Sequence, residues 1–268
     1  MIIGNKEFDF EKNAYIMGIL NMTPDSFSDG GKYNNLDDAL FRVEGMIEDG
    51  ATIIDIGGES TRPGYTRISD EEEIDRIIPI IESVKKCFDT VISVDTYKSK
   101  VAKAALDSGC DMINDIWGLK GDESMANIVA SFKVPVCIMH NRENASYNDY
   151  MTDVLNDLKE SVDIALKSGI DSKNIILDPG VGFAKDFEQN LQVINNVDKI
   201  VNLGYPVLLG TSRKSVIAKA LDLPVDERVE GTIATTVLGY AKGCRIFRVH
   251  DVKENIRALR MSEAIINS

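Results

Sequence analysis

The sequence of 268 residues has no apolar run near the roughly 20 residues that a membrane-spanning helix needs. Its first residues also lack the basic segment and following apolar segment of a secretory signal peptide. The four cysteines are widely separated and form no Cys-x-x-Cys pair, which argues against a zinc site and against a disulfide framework. We therefore expect a cytoplasmic protein with reduced thiols and no association with membranes.

Positive charge is also scarce. The chain has 30 lysines and arginines against 43 acidic residues, which gives a net charge of −13. Binding of nucleic acid through its phosphates needs a basic surface, so we predict no nucleic-acid partner. A small anion can still bind an acidic protein where a few cations converge locally.

A regular alternation of short β-branched runs and amphipathic segments extends along the chain. Runs that are apolar on both faces, separated by helices, favour a parallel sheet. The predicted strands are residues 15–20, 52–56, 91–94, 112–116, 134–139, 174–177, 206–209 and 245–249. The clearest predicted helices are residues 36–49, 70–86, 149–167, 190–202 and 252–266.

Eight strand–helix units in a chain of this length are typical of a (β/α)8 barrel. A doubly wound open sheet is the alternative, but no strand is followed by the G-x-G-x-x-G turn of a dinucleotide-binding fold. No interdomain linker is evident either. We predict an α/β protein in which residues 1–268 form a single TIM-barrel domain.

Polar residues follow all eight predicted strands at their C-terminal ends, where barrels of this type carry their active sites. One subset is acidic or neutral, and such groups can bind the guanidine-like edge of a flat heterocycle through paired hydrogen bonds. This subset is Asp95, Asn114 and Asp178. The other subset is cationic and is expected at the rim, where it would bind a phosphate-like anion. Its members are Arg62, Arg213, Lys214, Arg248 and His250.

Some polar residues also have a structural explanation. Asp55 could brace the barrel, and Glu59 and Asp115 could cap helices or support neighbouring groups. A lone histidine such as His140 is more often structural than catalytic. For His250, which lies close to Arg248, the functional interpretation is favoured.

Two long motifs resemble the dihydropteroate synthase family of folate biosynthesis. Residues 16–31 read Ile-Met-Gly-Ile-Leu-Asn-Met-Thr-Pro-Asp-Ser-Phe-Ser-Asp-Gly-Gly, and residues 54–64 read Ile-Asp-Ile-Gly-Gly-Glu-Ser-Thr-Arg-Pro-Gly. Shorter matches follow in the order of the family, at residues 93–96, 113–115, 178–183, 212–215 and 248–251. The resemblance covers nearly the whole chain.

The resemblance implies a transferase that joins 6-hydroxymethyl-7,8-dihydropterin pyrophosphate to 4-aminobenzoate and releases pyrophosphate in an SN1-like reaction. It also implies Mg2+ as cofactor and a homodimer formed through outer helices. By resemblance, the pterin is held by Asp95, Asn114, Asp178 and Lys214. The pyrophosphate is held by Asn21, Arg62, Arg248 and His250, with Mg2+ near Asn21 and Asp29. The 4-aminobenzoate subsite is formed by Phe27, Thr61, Pro63 and Ser215. The implied catalytic residues are Asp29, Asp95, Asp178 and Lys214.

Two other functions remain open at this point. A methyltetrahydrofolate-dependent methyltransferase shares the pterin-binding barrel but binds no pyrophosphate, so the cationic turns at residues 212–215 and 248–250 count against it. A non-catalytic pterin-binding barrel is disfavoured because the first two loops keep their polar groups. Residues 141–147 depart from the family, since they lack its usual Gly-Pro sequence, and no role is predicted for them.

Overall fold

The structure is a computed structural model that describes residues 1–22, 32–60 and 66–268, with only the backbone described for residues 32–35. Within these ranges the strands are β1 (Ile2–Ile3), β2 (Lys6–Glu7), β3 (Tyr15–Asn21), β4 (Ile53–Gly57), β5 (Val91–Asp95), β6 (Met112–Asp115), β7 (Val136–Met139), β8 (Ile175–Asp178), β9 (Leu208–Leu209) and β10 (Ile246–Val249). The α-helices are α1 (Lys32–Glu48), α2 (Asp70–Cys87), α3 (Ser99–Asp107), α4 (Met125–Phe132), α5 (Tyr150–Lys167), α6 (Phe187–Asn195), α7 (Val197–Val201), α8 (Ser215–Leu221), α9 (Val229–Ala241) and α10 (Val252–Ile266).

Strands β3 to β10 of the described chain form one eight-stranded parallel sheet, in the order β8-β7-β6-β5-β4-β3-β10-β9. The two ends of this sheet meet, because Leu177 in β8 forms a parallel bridge with Val207, just before β9. The backbone N–H of Leu177 donates to the carbonyl of Pro206 at 2.9 Å. The predicted α/β class and TIM-barrel architecture are confirmed.

The ends of the helices follow the capping residues in the sequence. The Ser69 hydroxyl accepts a hydrogen bond from the backbone N–H of Glu72 and caps α2. The predicted helix over residues 190–202 is wrong in part, because Asn196 leaves helical geometry (φ −115°, ψ 22°) and separates α6 from α7. Helix α6 also begins earlier than predicted, at a capping box formed by Asp186 and Gln189. No helix in the described ranges is long and apolar enough to cross a membrane.

A short N-terminal hairpin, which the sequence pattern did not predict, closes the lower end of the barrel. Strands β1 and β2 pair antiparallel, with Ile3 opposite Lys6. Ile3 and Phe8 are buried against the first inward-facing side chains of the barrel strands. These side chains are Met17, Ile53, Val91, Met112, Cys137, Ile176, Leu208 and Ile246. The lower end of the barrel is therefore apolar and filled.

The twofold alternation of a strand then decides which residues can form a site at the upper end. Side chains two and four positions beyond an inward-facing residue also point inward. Starting from the apolar lower layer, this rule selects one set of polar side chains. They are Asn21, Asp55, Ser93, Asp95, Asn114, Asp178, Arg248 and, just beyond β10, His250. The intervening residues, such as Ile54 and Ile92, belong to the core beneath the helices.

Candidate active site

A buried arginine lies at the base of the barrel mouth. The Nε of Arg248 donates to Asp55 Oδ2 at 2.6 Å, and its Nη2 donates to Asp95 Oδ2 at 2.8 Å. The Nδ2 of Asn114 donates to the same Asp55 oxygen at 3.2 Å. The Arg248 side chain is only 16% exposed, so it lies inside the mouth and not at the rim, where we expected it. Its inward position on β10 and its two carboxylate partners explain the difference.

Arg248 is paired with both carboxylates, and burial shifts the protonation of Asp95. Burial raises the pKa of Asp95 to about 7; Arg248 opposes the shift and Asp55 adds to it. Burial lowers the pKa of Arg248, but Asp55 and Asp95 together raise it above its ordinary value. Arg248 therefore stays charged, whereas Asp95 can hold a proton close to neutral pH.

Three buried polar atoms in this network have no hydrogen-bond partner within the described residues. They are Asp55 Oδ1, Ser93 Oγ and Asp95 Oδ1. Buried polar atoms without partners are uncommon because the lost hydration is costly. A mouth with such free carboxylate oxygens is suited to a ligand that donates hydrogen bonds.

Asp178 and Lys214 form the opposite side of the mouth. Asp178 Oδ1 accepts a hydrogen bond from the backbone N–H of Gly180 at 2.6 Å, and burial raises the pKa of this carboxyl, opposed mainly by Lys214. The Nζ of Lys214 donates to the carbonyl of Val181 at 2.6 Å. It also lies 5.0 Å from the ring centre of Phe183, within cation–π distance. Burial lowers the pKa of Lys214 to about 8, and Asp178 opposes this shift.

The loop after β8 needs glycine where it passes β7. Gly180 has φ +66°, and a Cβ there would lie 1.9 Å from the carbonyl oxygen of His140. Any larger residue would push the loop away from its neighbour, so Gly180 allows Phe183 to lie beside the mouth. Sequence reasoning did not identify the apolar cluster that Phe183 contacts. It consists of Tyr97, Ile116 and Met139, with Trp117 packed against it.

The rim residues after β9 and β10 bind one another. The Oγ of Ser212 lies 3.0 Å from His250 Nδ1 and accepts the backbone N–H of His250 at 3.1 Å. Arg213, which we predicted as a rim cation, forms an ion pair with Asp251. Ser215 is exposed at the first turn of α8.

The residues with a structural explanation make structural contacts. Asp55 braces β4, β6 and β10 through Asn114 and Arg248. Asp115 accepts hydrogen bonds from the backbone N–H groups of Trp117 and Leu119, at 2.8 and 2.7 Å. His140 contacts no other predicted site residue through a side-chain hydrogen bond in the described chain; its partners are Asp157 and Lys185.

Glu59, two residues beyond β4, belongs to a buried cluster of charged groups. The Nζ of Lys98 donates to Glu59 Oε2 at 2.7 Å, to Glu73 Oε2 at 2.8 Å and to the carbonyl of Ile68 at 2.8 Å. Glu59 also accepts the backbone N–H of Ile68 at 3.0 Å. All three charged groups are buried. This cluster fixes Glu59 and Ile68 to each other on either side of residues 60–67.

Several predicted site residues lie outside the described residues. These are Phe27, Asp29, Thr61, Arg62 and Pro63. Among the described residues, no group of three or more His, Cys, Asp or Glu side chains is placed to hold a metal ion. Asn21 ends β3 at the mouth, and its Oδ1 lies 3.6 Å from the position that a Cβ on Gly57 would occupy.

Comparison with known proteins gives consistent matches. The sequence pattern of the family described as "Pterin binding enzyme" matches residues 17–250. The dihydropteroate synthase of Clostridium beijerinckii is 58% identical over 267 residues, which cover 99% of each chain. A crystal structure of the dihydropteroate synthase of Clostridium difficile, obtained in the presence of pteroic acid, is 51% identical with a TM-score of 0.96 and covers 98% of this chain and 100% of its own. The Xanthomonas albilineans dihydropteroate synthase with 4-aminobenzoic acid is 38% identical with a TM-score of 0.92, covering 96% of this chain and 94% of its own.

The raised pKa of Asp95 predicts a pH-dependent stability. Between its ordinary value of 3.8 and its folded value of about 7, the unfolded chain has lost this proton and the folded chain retains it. The free energy of unfolding should therefore fall as pH rises through this window. We expect Asp95→Asn to remove this contribution, and urea denaturation of both proteins from pH 4 to pH 8 measures it. Titrating groups that do not interact with Asp95, such as Asp115, are present in both proteins and cancel. A difference between the two proteins that is independent of pH would contradict the assignment.

Proposed function

Since the chain belongs to the family of pterin-binding enzymes, we propose that it is a transferase with dihydropteroate synthase activity. The reaction joins 6-hydroxymethyl-7,8-dihydropterin pyrophosphate to 4-aminobenzoate, forming 7,8-dihydropteroate and pyrophosphate. The observation that carries this proposal is the mouth itself, where free carboxylate oxygens face a lysine beside an apolar wall. A flat, polar ring with several N–H donors has the complementary chemistry.

The pterin is held by groups on four different strands or on the loops that follow them. The ring edge with its amino and amide N–H groups donates to Asp178, whose second oxygen remains beside Gly210. Asp95 Oδ1 accepts a hydrogen bond from the adjoining part of the ring. The Asn114 amide forms a further hydrogen bond with a neighbouring ring nitrogen. Lys214 supplies a cationic donor from the same side of the mouth as Asp178, and Phe183 packs against the ring face. A carboxylate that accepts two parallel hydrogen bonds gives both affinity and orientation.

The chemical step breaks the bond between the exocyclic methylene carbon and the pyrophosphate oxygen, and the bonding electrons leave with that oxygen. The positive charge that remains spreads into the ring, and Asp95 and Asp178 offset it at short range. The amino nitrogen of 4-aminobenzoate then attacks the methylene carbon and afterwards loses a proton. This nucleophile needs no strong base. The carboxylates therefore act mainly by electrostatic stabilisation and by orienting the ring.

The pyrophosphate is bound at the rim by His250 and Asn21, with Arg62 outside the described residues. Arg248, which the resemblance assigns to the pyrophosphate, lies deeper in the mouth. Both of its observed side-chain contacts are to carboxylates, so it would act on the pyrophosphate from below the ring. Ser215, which is exposed at the first turn of α8, is assigned to the 4-aminobenzoate subsite by resemblance. Phe27, Thr61 and Pro63 remain assigned to that subsite by resemblance alone.

We propose that Asn21, together with Asp29 outside the described residues, binds a Mg2+ ion that is shared with the substrate. Mg2+ is usually bound by one or two carboxylates together with substrate phosphates and water, and it needs no closed protein cage. Asn21 offers a side-chain oxygen at the mouth, and Gly57 leaves space beside it. Asn21 and Asp29 would hold the ion with the pyrophosphate. The ion would supply positive charge for the leaving group.

We also propose that the chain forms a homodimer through α6, α8 and α9. An apolar groove of about 510 Å³ lies between these helices. Leu191, Leu221 and Leu238 line it and are 38%, 47% and 42% exposed. Contiguous exposed apolar surface of this kind is typical of an interface. The cytoplasmic location stays a prediction, which is supported by four cysteines that are all free thiols.

The activity and the ring site can be tested together. The wild-type protein should release pyrophosphate only when both substrates are present. Asp178→Asn replaces an acceptor by a donor opposite a ring edge that also donates, and a buried unpaired polar group costs about 1–3 kcal/mol. We expect the Kd for the pterin pyrophosphate, measured by calorimetry, to rise by about ten- to a hundredfold. Asp163→Asn, an exposed site on α5, is the matched control and should bind like the wild type. Wild-type affinity in Asp178→Asn would refute the assignment.

Removal of Mg2+ shows which part of the substrate, the ring or the pyrophosphate, depends on the ion for binding. A chelator should weaken binding of the pterin pyrophosphate far more than binding of the corresponding pterin alcohol, because the alcohol carries no phosphate for the ion to contact. Calorimetric titrations with both ligands, with and without Mg2+, measure the difference. Equal effects on the two ligands would mean that the ion does not bind with the pyrophosphate.

The dimer interface is tested by the mass of the protein in solution. Light scattering after size exclusion should give twice the chain mass of 29.6 kDa. The double change Leu191→Glu and Leu238→Glu should yield monomers, because it places charges in the apolar groove. Leu166→Glu on α5, 42% exposed and outside the groove, should leave the dimer intact. A wild-type monomer, or a dimer that survives the double change, would disprove the proposed interface.

A further inference from the structure

The loop between β8 and α6, residues 179–186, has an unusual backbone. Gly180 and Gly182 have φ values of +66° and +87°, and Ala184, which carries a Cβ, has φ +43°. A non-glycine residue in this region costs conformational energy and persists only when the surroundings hold it. The same loop supplies the Val181 carbonyl to Lys214 and places the Phe183 ring beside that lysine. Its conformation therefore matters for the proposed ring site.

Lys185 binds this loop at two points. Its Nζ donates to the carbonyls of Gly180 and Phe183, at 2.9 and 3.0 Å, and to His140 Nδ1 at 2.8 Å. The charged ammonium group has three N–H donors, and each has an acceptor here. The carbonyl groups of the loop are thus divided between two lysines, with Val181 bound to Lys214 and its neighbours bound to Lys185.

His140 connects Lys185 to helix α5. Burial lowers the pKa of His140 to about 4, so the ring is neutral and its Nδ1 can accept a hydrogen bond from the Lys185 ammonium group. Its Nε2 then donates to Asp157 Oδ2 at 3.0 Å. Arg142 donates to both oxygens of Asp157, at 2.6 and 3.1 Å, which fixes the carboxylate. The contact to Lys185 is therefore held by a rigid helix.

Residues 141–147, whose sequence departs from the family, reach the same loop from another direction. The Tyr147 hydroxyl donates to the carbonyl of Ala184 at 2.8 Å. Arg142 orders this segment, since its guanidinium lies 4.4 Å from the Tyr147 ring centre and donates to the carbonyl of Ser146 at 2.6 Å. Tyr147 thus binds the backbone of the one loop residue that has a side chain and a positive φ.

We propose that Lys185 and Tyr147 are positioning residues for the ring site, acting through the backbone of residues 180–184 on Phe183 and Lys214. Loss of either contact leaves loop carbonyls without donors and allows the strained backbone to relax. Phe183 then moves from the ring face, and Lys214 loses its fixed acceptor on Val181. This inference rests on the proposed pterin-binding function.

The sharpest test compares two neighbouring tyrosines. Tyr147→Phe removes only the hydroxyl that binds Ala184. Tyr150→Phe removes a buried hydroxyl that has no partner within the described residues, on a ring 4.8 Å from that of Tyr147. We expect Tyr147→Phe to weaken binding of the pterin pyrophosphate by about three- to tenfold, as for one lost hydrogen bond. Tyr150→Phe should bind like the wild type. Calorimetry at about pH 6 keeps Lys185 charged, since burial lowers its pKa only to about 7.

A second set of variants tests Lys185. Lys185→Met should raise the KM for the pterin pyrophosphate more than tenfold while leaving the KM for 4-aminobenzoate close to that of the wild type. Lys185→Arg keeps the charge and the donors and should restore part of the affinity. Lys173→Met, at a site that is 75% exposed, is the control for loss of a lysine. An equal rise in both KM values, with no rescue by arginine, would show a general loss of structure and overturn the positioning role.

The single tryptophan of the chain gives a readout that needs no substrate. Trp117 and Phe183 both pack against the cluster of Tyr97, Ile116 and Met139. Its emission in the ligand-free protein should change in Tyr147→Phe and Lys185→Met and stay constant in Tyr150→Phe. A wild-type protein that does not bind the pterin would contradict the proposed function, and Trp117 would still report on the loop. Unchanged emission and unchanged pterin affinity in both variants would overturn the positioning role itself.

Discussion

The ion network around Arg248 is the interaction on which the barrel mouth depends. Arg248 extends from β10 past β3 to Asp55 on β4 and Asp95 on β5. Burial of charges is costly unless they are paired, so the three groups can only be buried together. Their geometry also leaves one oxygen of each carboxylate free. The same contacts that join the strands therefore create the acceptors of the proposed ring site.

The carboxylates and cations inside the mouth nearly balance each other in charge. The described groups of the mouth include three carboxyl groups, Asp55, Asp95 and Asp178, and two cations, Lys214 and Arg248. The whole chain carries a net charge of −13. Such a mouth is suited to a polar ring whose N–H groups donate. It does not by itself supply the positive charge that a departing pyrophosphate requires. In the proposed function, the rim residues and a bound Mg2+ ion would supply this charge.

The loop after β8 shows how a strained backbone is kept in place for a function. Glycine at position 180 is required because a Cβ would clash with the His140 carbonyl oxygen. The remaining strain, at Ala184, is offset by hydrogen bonds from Lys185 and Tyr147. Tyr147 and His140, the partner of Lys185, both belong to the segment after β7, and His140 is bound in turn to Asp157 on α5. A site that binds a rigid ring benefits from such a support, because the geometry of its walls is fixed before the ligand arrives.

The sequence by itself determined the repeated strand–helix pattern, the start of α2 at Asp70, the bounds of α10, and the polar ends of the strands. These features are local, since hydrophobic periodicity and capping residues act within a few positions along the chain. Only the tertiary structure decided that Arg248 lies inside the mouth, because its partner Asp55 is 193 residues away in sequence. Tertiary structure also decided the position of the N-terminal hairpin and two contacts of the loop after β8. These contacts are Lys185 with His140 and Tyr147 with Ala184. Pairing between distant side chains depends on how the barrel closes, and no local pattern contains that information.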